Sequence, residues 1–410
     1  MTELQTNGTH LDQTDHNPEI LLYTRIKKSP YFYGSRRHGV AMYSVYNHHY
    51  HPRHYGDPVE EYWQLLEGVT MWDVGGAERQ VEITGPDAFE FTNMLTPRNL
   101  HKCNVGQCKY AFITDENGGI MNDPVLLRLD KNHFWLSLAD SDVLLWAKAL
   151  AYTMKLDVNI SEPDVGPMQV QGPKSKEVMT DLFGDSILDV PYYYMVHREL
   201  DGMDLVISRT GYSGELGYEI YLKNASRDGV KLWDAVLQAG EPHGIAPIGP
   251  CHIRRIEGGI LSQGCDMTLE DNPYEVGYGY KWMVELDQEQ DFIGKEALKK
   301  VAEEGVSRKL VGVEIGGSRL GSFNDGSMID FFPVRSGGEQ IGKVTSACYS
   351  PRLEKNIGFA MVPAEYSTIG VELEIERPGE TVSATVADRL FFRPEHAEQQ
   401  LTATSSSKGA

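Results

Sequence analysis

The sequence predicts a mixed α+β region followed by an all-β module, and three patterns carry that expectation. A strand, a Gly-Pro break and a helix occur twice in the first half, a strong hairpin signal lies between them, and from about residue 308 the chain reads as short strands. In order, Gln80-Val81-Glu82-Ile83 alternates polar with apolar residues and Gly85-Pro86 breaks the run. Asp87 is then placed to cap a helix carrying Phe89, Phe91 and Leu95. Segments 110–114 and 121–129 flank Asp115-Glu116-Asn117-Gly118-Gly119, whose Asn-Gly pair suits the left-handed turn of a hairpin. A strand over 134–138 and an apolar helix over 141–153 follow. The second unit runs through Met168-Gln169-Val170 and Gly172-Pro173 to a helix from Ser175. Strands at 310–315, 340–345, 358–362, 371–375 and 382–386 predict a small β-barrel or sandwich.

The 410 residues, 41% hydrophobic and 24% charged, suffice for about two or three domains with buried cores. No run reaches the roughly 18–20 apolar residues of a membrane span; the richest, 143–154, is broken by Lys148. Residues 2–15 are polar and acidic, without the basic and apolar regions of a secretory leader, so none is expected. With 38 basic against 59 acidic side chains and a net charge of −21, the chain is ill suited to bind nucleic-acid backbone. Five scattered cysteines point to reduced thiols in the cytoplasm, not to a disulfide framework. Disordered tails are expected at 1–20 and 395–410.

Several stretches invite a chemical reading. Gly337-Gly338-Glu339-Gln340-Ile341-Gly342-Lys343 has the spacing of a phosphate loop. However, Val344 occupies the place of the Mg²⁺-binding hydroxyl and a strand follows, which favours a hairpin turn. The run His48-His49-Tyr50-His51-Pro52-Arg53-His54 lacks acidic or thiol partners at ligand spacing apart from Asp57. It reads as a loop lining a polar pocket or lying in solvent, and no metal is expected. If the hairpin turns at Asn117-Gly118, Tyr110 lies opposite about Pro124 and Asp123 sits near Tyr110. Such a pair either holds a flat heteroaromatic ligand and moves a proton, or is a surface turn carrying an Asp. The stretch from Arg209 to Glu219, with glycines at 211, 214 and 217, either approaches a ligand closely or forms a plain β-turn.

A resemblance bears on these alternatives. Tyr62-Trp63-Gln64-Leu65-Leu66-Glu67-Gly68-Val69 with Trp72-Asp73-Val74, Gly85-Pro86-Asp87-Ala88 and Leu95-Thr96 resemble the opening of the folate-dependent aminomethyltransferase family. Further landmarks follow in order: Tyr110, Gly118-Gly119-Ile120 with Asp123, Gln171-Gly172-Pro173, Gly211-Tyr212-Ser213-Gly214-Glu215 with Glu219, and Phe292-Ile293-Gly294-Lys295. Within the family, Tyr43-Ser44-Val45-Tyr46-Asn47-His48, Asn122-Asp123-Pro124-Val125 and Ala139-Asp140-Ser141-Asp142 are most similar to the branch that demethylates dimethylsulfoniopropionate. That branch usually has Trp-Ser-Lys-Gln-Gly-Gly where this chain keeps Tyr212-Ser213-Gly214-Glu215-Leu216-Gly217, nearer the aminomethyltransferases. Asn272-Pro273-Tyr274-Glu275-Val276-Gly277-Tyr278-Gly279 is similar to demethylases of aromatic methyl ethers. Cys251 occupies the place of a functional Arg of the glycine-cleavage enzyme.

The resemblance implies a three-domain cloverleaf ring around a central folate channel. Its folate-binding region of two interleaved α+β domains would span 21–300 and its C-terminal β-barrel 305–392. It implies tetrahydrofolate as methyl acceptor and a small-molecule methyl donor, with Asp123 catalytic and Tyr110, Asp123, Tyr212, Glu219 and Arg255 on the folate side. A carboxylate near folate N5 would manage the proton lost there, and Glu219 would bind the pterin N–H edge. Tyr46, His48, Tyr194, Tyr280 and Trp282 are the donor-side candidates, with Tyr192 and Tyr193 as further aromatic faces for a cation. Other donors remain open: an aryl methyl ether, a methylenedioxy ring or an N-methyl amino acid, as does a folate-binding regulator without catalysis.

Overall fold

The computed structural model describes residues 21–393, so the expected tails at 1–20 and 395–410 lie outside the described residues. Two antiparallel sheets organise the first half. One runs in the order Asn159–Ser161, Arg79–Thr84, His133–Leu138, Val125–Asp130, Cys108–Tyr110. The other runs Met195–Leu200, Met203–Ser208, Gly217–Lys223, Val165–Gln171, Thr70–Asp73 and finally Ala246–Pro247, which pairs parallel. Arg79–Thr84 and Val165–Gln171 are both interior strands, each leading through Gly-Pro into a helix, Ala88–Met94 and Ser175–Phe183. Gly85 and Gly172 share a φ of +119°, and a Cβ on either would lie 2.6 Å from a carbonyl oxygen, that of Asp157 or of Gly68. Only glycine meets both demands. Asp87 does not cap its helix as expected; its Oδ2 accepts from the Asp157 N–H at 2.7 Å and ties the helix start to the neighbouring loop.

The expected hairpin forms in two steps. Ile113–Thr114 pairs with Ile120–Asn122 around a turn in which Asp115 Oδ1 accepts from the N–H groups of Asn117 and Gly119. Cys108–Tyr110 then pairs with Val125–Asp130, and Tyr110 faces Val125, one residue beyond the expected Pro124. Between the two steps Ala111 still donates to the Pro124 carbonyl at 3.1 Å, but Pro124 has no N–H to return, and the ladder is interrupted there.

The histidine run is a strand rather than a loop. His49–His54 pairs with Met42–Tyr46 across a turn in which Asn47 and His48 hold φ of 47° and 62°. One face of this hairpin sends Tyr43 and Tyr50 against Phe32; alternation puts Tyr46, His51 and Arg53 on the other. The Asn47 amide fixes the turn to the first sheet through the Ala77 and Ala139 carbonyls, at 2.7 and 3.1 Å.

The C-terminal strands close into a barrel in the order Arg308–Ile315, Lys355–Pro363, Glu339–Ser350, Phe332–Ser336, Glu372–Arg377, Glu380–Ala387. The first pairs with the last. All five expected strands are present, and Phe332–Ser336, which contains Pro333, is the sixth. Gly337 and Gly338, both at positive φ, make the turn between Ser336 and Glu339, so the phosphate-loop spacing is a hairpin.

One short helix, His252–Glu257, joins these parts, and all six of its residues are buried. Arg254 Nε meets Glu215 Oε1 at 2.7 Å, on the loop before Gly217–Lys223. Arg255 pairs with Asp266 at 2.5 Å and donates to Ser346 Oγ of the barrel at 2.7 Å. Glu257 accepts from Tyr62 of the helix Pro58–Glu67 and from Ser350 of the barrel, at 2.8 and 2.6 Å. His252 Nε2 lies 2.7 Å from Arg53 of the hairpin. Among the described residues no helix is long and apolar enough to cross a membrane.

Removing one partner of the buried pair strands a charge. Asp266→Asn is therefore expected to lower unfolding free energy by about 3–5 kcal/mol. Asp234→Asn, which breaks an Arg37 pair with both side chains 53% exposed, should cost under about 1 kcal/mol. Denaturant unfolding of the two variants at equal ionic strength checks the contrast.

Candidate functional site

Asp123 follows Ile120–Asn122 directly, and its position is set by its neighbour. The Asn122 amide donates to the Ala139 carbonyl at 3.2 Å and to Ser141 Oγ at 2.9 Å, which clamps the strand end against the first sheet. Pro124 then ends the pairing. The Tyr110 hydroxyl donates to Asp123 Oδ2 at 3.0 Å. Burial pushes the Asp123 carboxyl up to about 7, against the opposing hydrogen bonds from Tyr110 and its own backbone N–H. Yet Asp123 keeps accessible surface. It is desolvated and still reachable from outside.

The same combination marks a set of tyrosines. Tyr46, Tyr110, Tyr192, Tyr193, Tyr212 and Tyr278 each retain partial accessibility, and burial raises the phenol of each above its ordinary value. The charge of Asp123 adds to that rise at Tyr46, Tyr110, Tyr212 and Tyr278. Tyr110, Phe112 and Tyr278 form a three-ring contact with centroids 5.6–5.7 Å apart. From Tyr278 the rings continue outward to Tyr280 at 6.4 Å and to Trp282, which stacks on Tyr280 at 5.7 Å.

Tyr212 is held by its glycine-rich loop. A Cβ on Gly211 or Gly217 would strike the Gln171 side chain at 2.3 or 2.4 Å, so the loop folds around that amide. Ser213 Oγ donates to Gln171 Oε1 at 2.6 Å, and Tyr212 OH reaches the Leu261 carbonyl at 2.9 Å. The loop thus approaches Gln171 of the Gln-Gly-Pro motif, and it presents Tyr212 as a consequence.

Glu219, 3% exposed, accepts from Gln169 Nε2 at 2.9 Å, Tyr221 OH at 3.1 Å, Ser208 Oγ at 3.4 Å and the Thr210 hydroxyl. Gln169 Nε2 also donates to Glu78 Oε1 at 2.6 Å. Burial raises both carboxyls, and the like charge of Glu219 raises Glu78 further, so the pair holds a proton more tightly than two free carboxylates would. The charge of Glu219 is felt at Tyr192 and Tyr193, on the same tyrosine wall.

Of the residues singled out in the sequence, Asp123, Tyr110, Tyr212 and Tyr46 come together on this wall, and Glu219 adjoins it. Arg255 does not. It is wholly buried, and Asp266, Ser346 and the Ile260 carbonyl occupy its guanidinium. His48 is exposed at the hairpin tip. Tyr194 accepts from the Gln107 amide, and Tyr280 and Trp282 are 55% and 51% exposed, outside the deep wall. Arg53, Glu78, Gln169 and Tyr278 belong to the site as well. Tyr278 lies in the Asn272 to Gly279 motif and Arg53 in the histidine run, but neither stretch says which of its residues faces inward.

Comparison with known proteins places the chain in a family. Residues 33–288 match the GCVT N-terminal domain and residues 308–393 the glycine cleavage T-protein C-terminal barrel domain. The chain is 36% identical to dimethylsulfoniopropionate demethylase DmdA of Ruegeria pomeroyi, over 90% of this chain and 98% of that protein. It is 32% identical to an aminomethyltransferase of Symbiobacterium thermophilum, over 84% of this chain and 92% of that protein. The crystal structure of glycine cleavage system aminomethyltransferase T from Bartonella henselae has the same fold. Its TM-score is 0.78 at 21% identity, covering 90% of this chain and 98% of that one. Two contiguous family domains, near full-length relatives and a shared fold together make this chain a member of the glycine cleavage T-protein family of folate-dependent aminomethyl- and methyltransferases.

Proposed function

We propose that this enzyme transfers a methyl group from dimethylsulfoniopropionate, or a similarly activated methyl donor, to tetrahydrofolate. The observation that carries the proposal is the Asp123 carboxyl, raised to about 7 and bonded to Tyr110 on an accessible aromatic wall. The 36% identical demethylase supports the choice of donor. The wall fits a flat heteroaromatic guest. Tyr110, Tyr212 and Tyr278 offer ring faces, and the Glu78–Gln169–Glu219 group offers acceptors for an N–H edge.

Tetrahydrofolate, when bound, supplies the nucleophilic N5 that becomes methylated. Asp123 accepts the proton that leaves there, and the Tyr110 hydroxyl holds the carboxylate in place for it. In the donor, the carbon–sulfur bond breaks with its electron pair remaining on sulfur, so a neutral thioether leaves and no acid is required for departure. The protein's task is alignment and the exclusion of water. Tyr46 and Tyr212, both within the field of Asp123, give the cationic donor aromatic faces close to a carboxylate.

A second reading has its own support. The 32% identical relative is an aminomethyltransferase, and the Tyr212-Ser213-Gly214-Glu215 segment keeps that family's form. Transfer of a methylene unit from an aminomethyl or methylenedioxy donor would use the same wall and yield 5,10-methylenetetrahydrofolate, whereas an N-methyl donor would yield 5-methyltetrahydrofolate. Incubating the protein and tetrahydrofolate with dimethylsulfoniopropionate, dimethylglycine, sarcosine, an aryl methyl ether and a methylenedioxy-aryl compound, and weighing the folate product, separates the readings. A 5-methyl product from the sulfonium supports the proposal. A product from another donor alone replaces the substrate, and bound folate with no product from any of these donors overturns the demethylase reading and points to an untested donor or a binding role.

Asp123→Asn is expected to lower kcat on the order of 10²–10⁴-fold, with folate affinity changed far less, as measured by steady-state turnover and by titration of folate binding. Because the working form is the carboxylate and its pKa is about 7, turnover should rise about tenfold per pH unit below that value and level off above it. The rising limb should be missing from the residual activity of the Asn variant.

A further inference from the structure

Arg53 is a cation that no carboxylate of the described chain answers. It lies on the inward face of the hairpin with Tyr46 and His51, partly accessible. Its hydrogen bonds come from one nitrogen: Nη2 meets His252 Nε2 at 2.7 Å and Asn324 Oδ1 at 2.8 Å. Nε and Nη1 have no acceptor among the described residues. Both partners of Nη2 are neutral. Asn324 is an amide held by the Pro250 carbonyl at 2.8 Å, and burial with the charges of Arg53 and Arg255 keeps His252 unprotonated. The other deep arginines of the same region are paired, Arg254 with Glu215 and Arg255 with Asp266. A guanidinium stays charged at any ordinary pH, and a deep one without a counter-ion is costly unless a ligand supplies the counter-ion.

The surroundings define the ligand's shape. Tyr46 and Tyr212 are within electrostatic reach of Arg53 on one side and of Asp123 on the other. His51, 5.7 Å from Tyr46 ring to ring, is buried with an unpartnered Nδ1 on the same face. The wall therefore runs from a carboxyl, past two aromatic rings, to an unanswered cation.

We propose that Arg53 receives the carboxylate of the methyl donor through the N–H groups that His252 and Asn324 leave unused. The donor is thereby held as a zwitterion, its cationic methyl-bearing end toward Tyr46, Tyr212 and Asp123. This rests on the demethylase reading for the identity of the donor and adds the residue that selects it. An uncharged aryl ether satisfies neither end, whereas sulfonium and ammonium carboxylates satisfy both.

The test compares each acid with its amide, which keeps the onium or amine end and loses the carboxylate. Dimethylsulfoniopropionate and its primary amide, and dimethylglycine and its amide, are titrated calorimetrically into the protein with tetrahydrofolate and assayed for turnover. An acid should be favoured in affinity and kcat/KM on the order of 10–100-fold over its amide, as expected for a charge-assisted bond in a partly desolvated site. Arg53→Gln should erase that preference by raising KM for the acid, with kcat and folate affinity much less affected, and Arg53→Lys should restore part of it. Equal treatment of acid and amide by the unmodified protein in both pairs, or an equal loss on both in Arg53→Gln, overturns the proposal. Preferential binding of an acid through Arg53 without turnover would sustain this site and reject the demethylase reading.

Discussion

The molecule depends on the burial of four charged or polar side chains on one short helix. His252–Glu257 is six residues long, too short to persist by its own backbone hydrogen bonds. It is held because Arg254, Arg255, Glu257 and His252 each reach a different part of the chain: the Tyr212 loop, the Asp266 loop with the barrel, the helix Pro58–Glu67, and the hairpin with Arg53. Ion pairs taken out of water add little net stability against apolar replacements, but they tolerate few alternative geometries. Here that intolerance fixes the relative placement of the loop and the hairpin that supply Tyr212, Tyr46 and Arg53 to the wall.

The same exclusion of water tunes the chemistry. Asp123 is raised by desolvation, and its one side-chain donor, Tyr110, opposes the shift without cancelling it. A carboxyl near 7 exchanges its proton readily at neutral pH, which one in the ordinary carboxylate range does less well. Across the site the Glu78–Gln169–Glu219 group uses like-charge proximity in place of isolation, and there one amide bridges two carboxyls. Arg53 completes the pattern with opposite sign. Three deep ionisable sites are thus separated by tyrosines, and the Arg53 guanidinium is left with N–H groups that no acceptor among the described residues takes.

Local patterns made much of this legible. The two Gly-Pro breaks announced the paired units because each glycine must adopt φ of +119° against a carbonyl, a demand written in two residues. The Asn117-Gly118 turn fixed the hairpin closely enough to bring Asp123 to Tyr110, with the register one residue off where Ala111 bonds to Pro124. What stayed hidden depends on distant partners. Thr70–Asp73 completes a sheet with Val165–Gln171, a pairing no window of sequence contains. Arg255 carries a recognisable motif, but its use is decided by Asp266 and by Ser346, 91 positions away. Arg53 was masked by the histidines around it, and Pro52 suggested a loop. Lys27 bonds the outer edge of this hairpin at His48 and Tyr50, and Pro52, two residues further on, needs no N–H there; strand alternation then turns Arg53 inward.

Every role assigned to this site requires folate to bind against the Asp123 wall, which a crystal structure of the tetrahydrofolate complex would show. The pterin ring is expected against Tyr110 and Tyr212, its N5 within hydrogen-bond reach of the Asp123 carboxyl, and the space toward Arg53 left for the donor. A pterin bound elsewhere on the molecule, or seated on this wall with N5 turned away from Asp123, would contradict it.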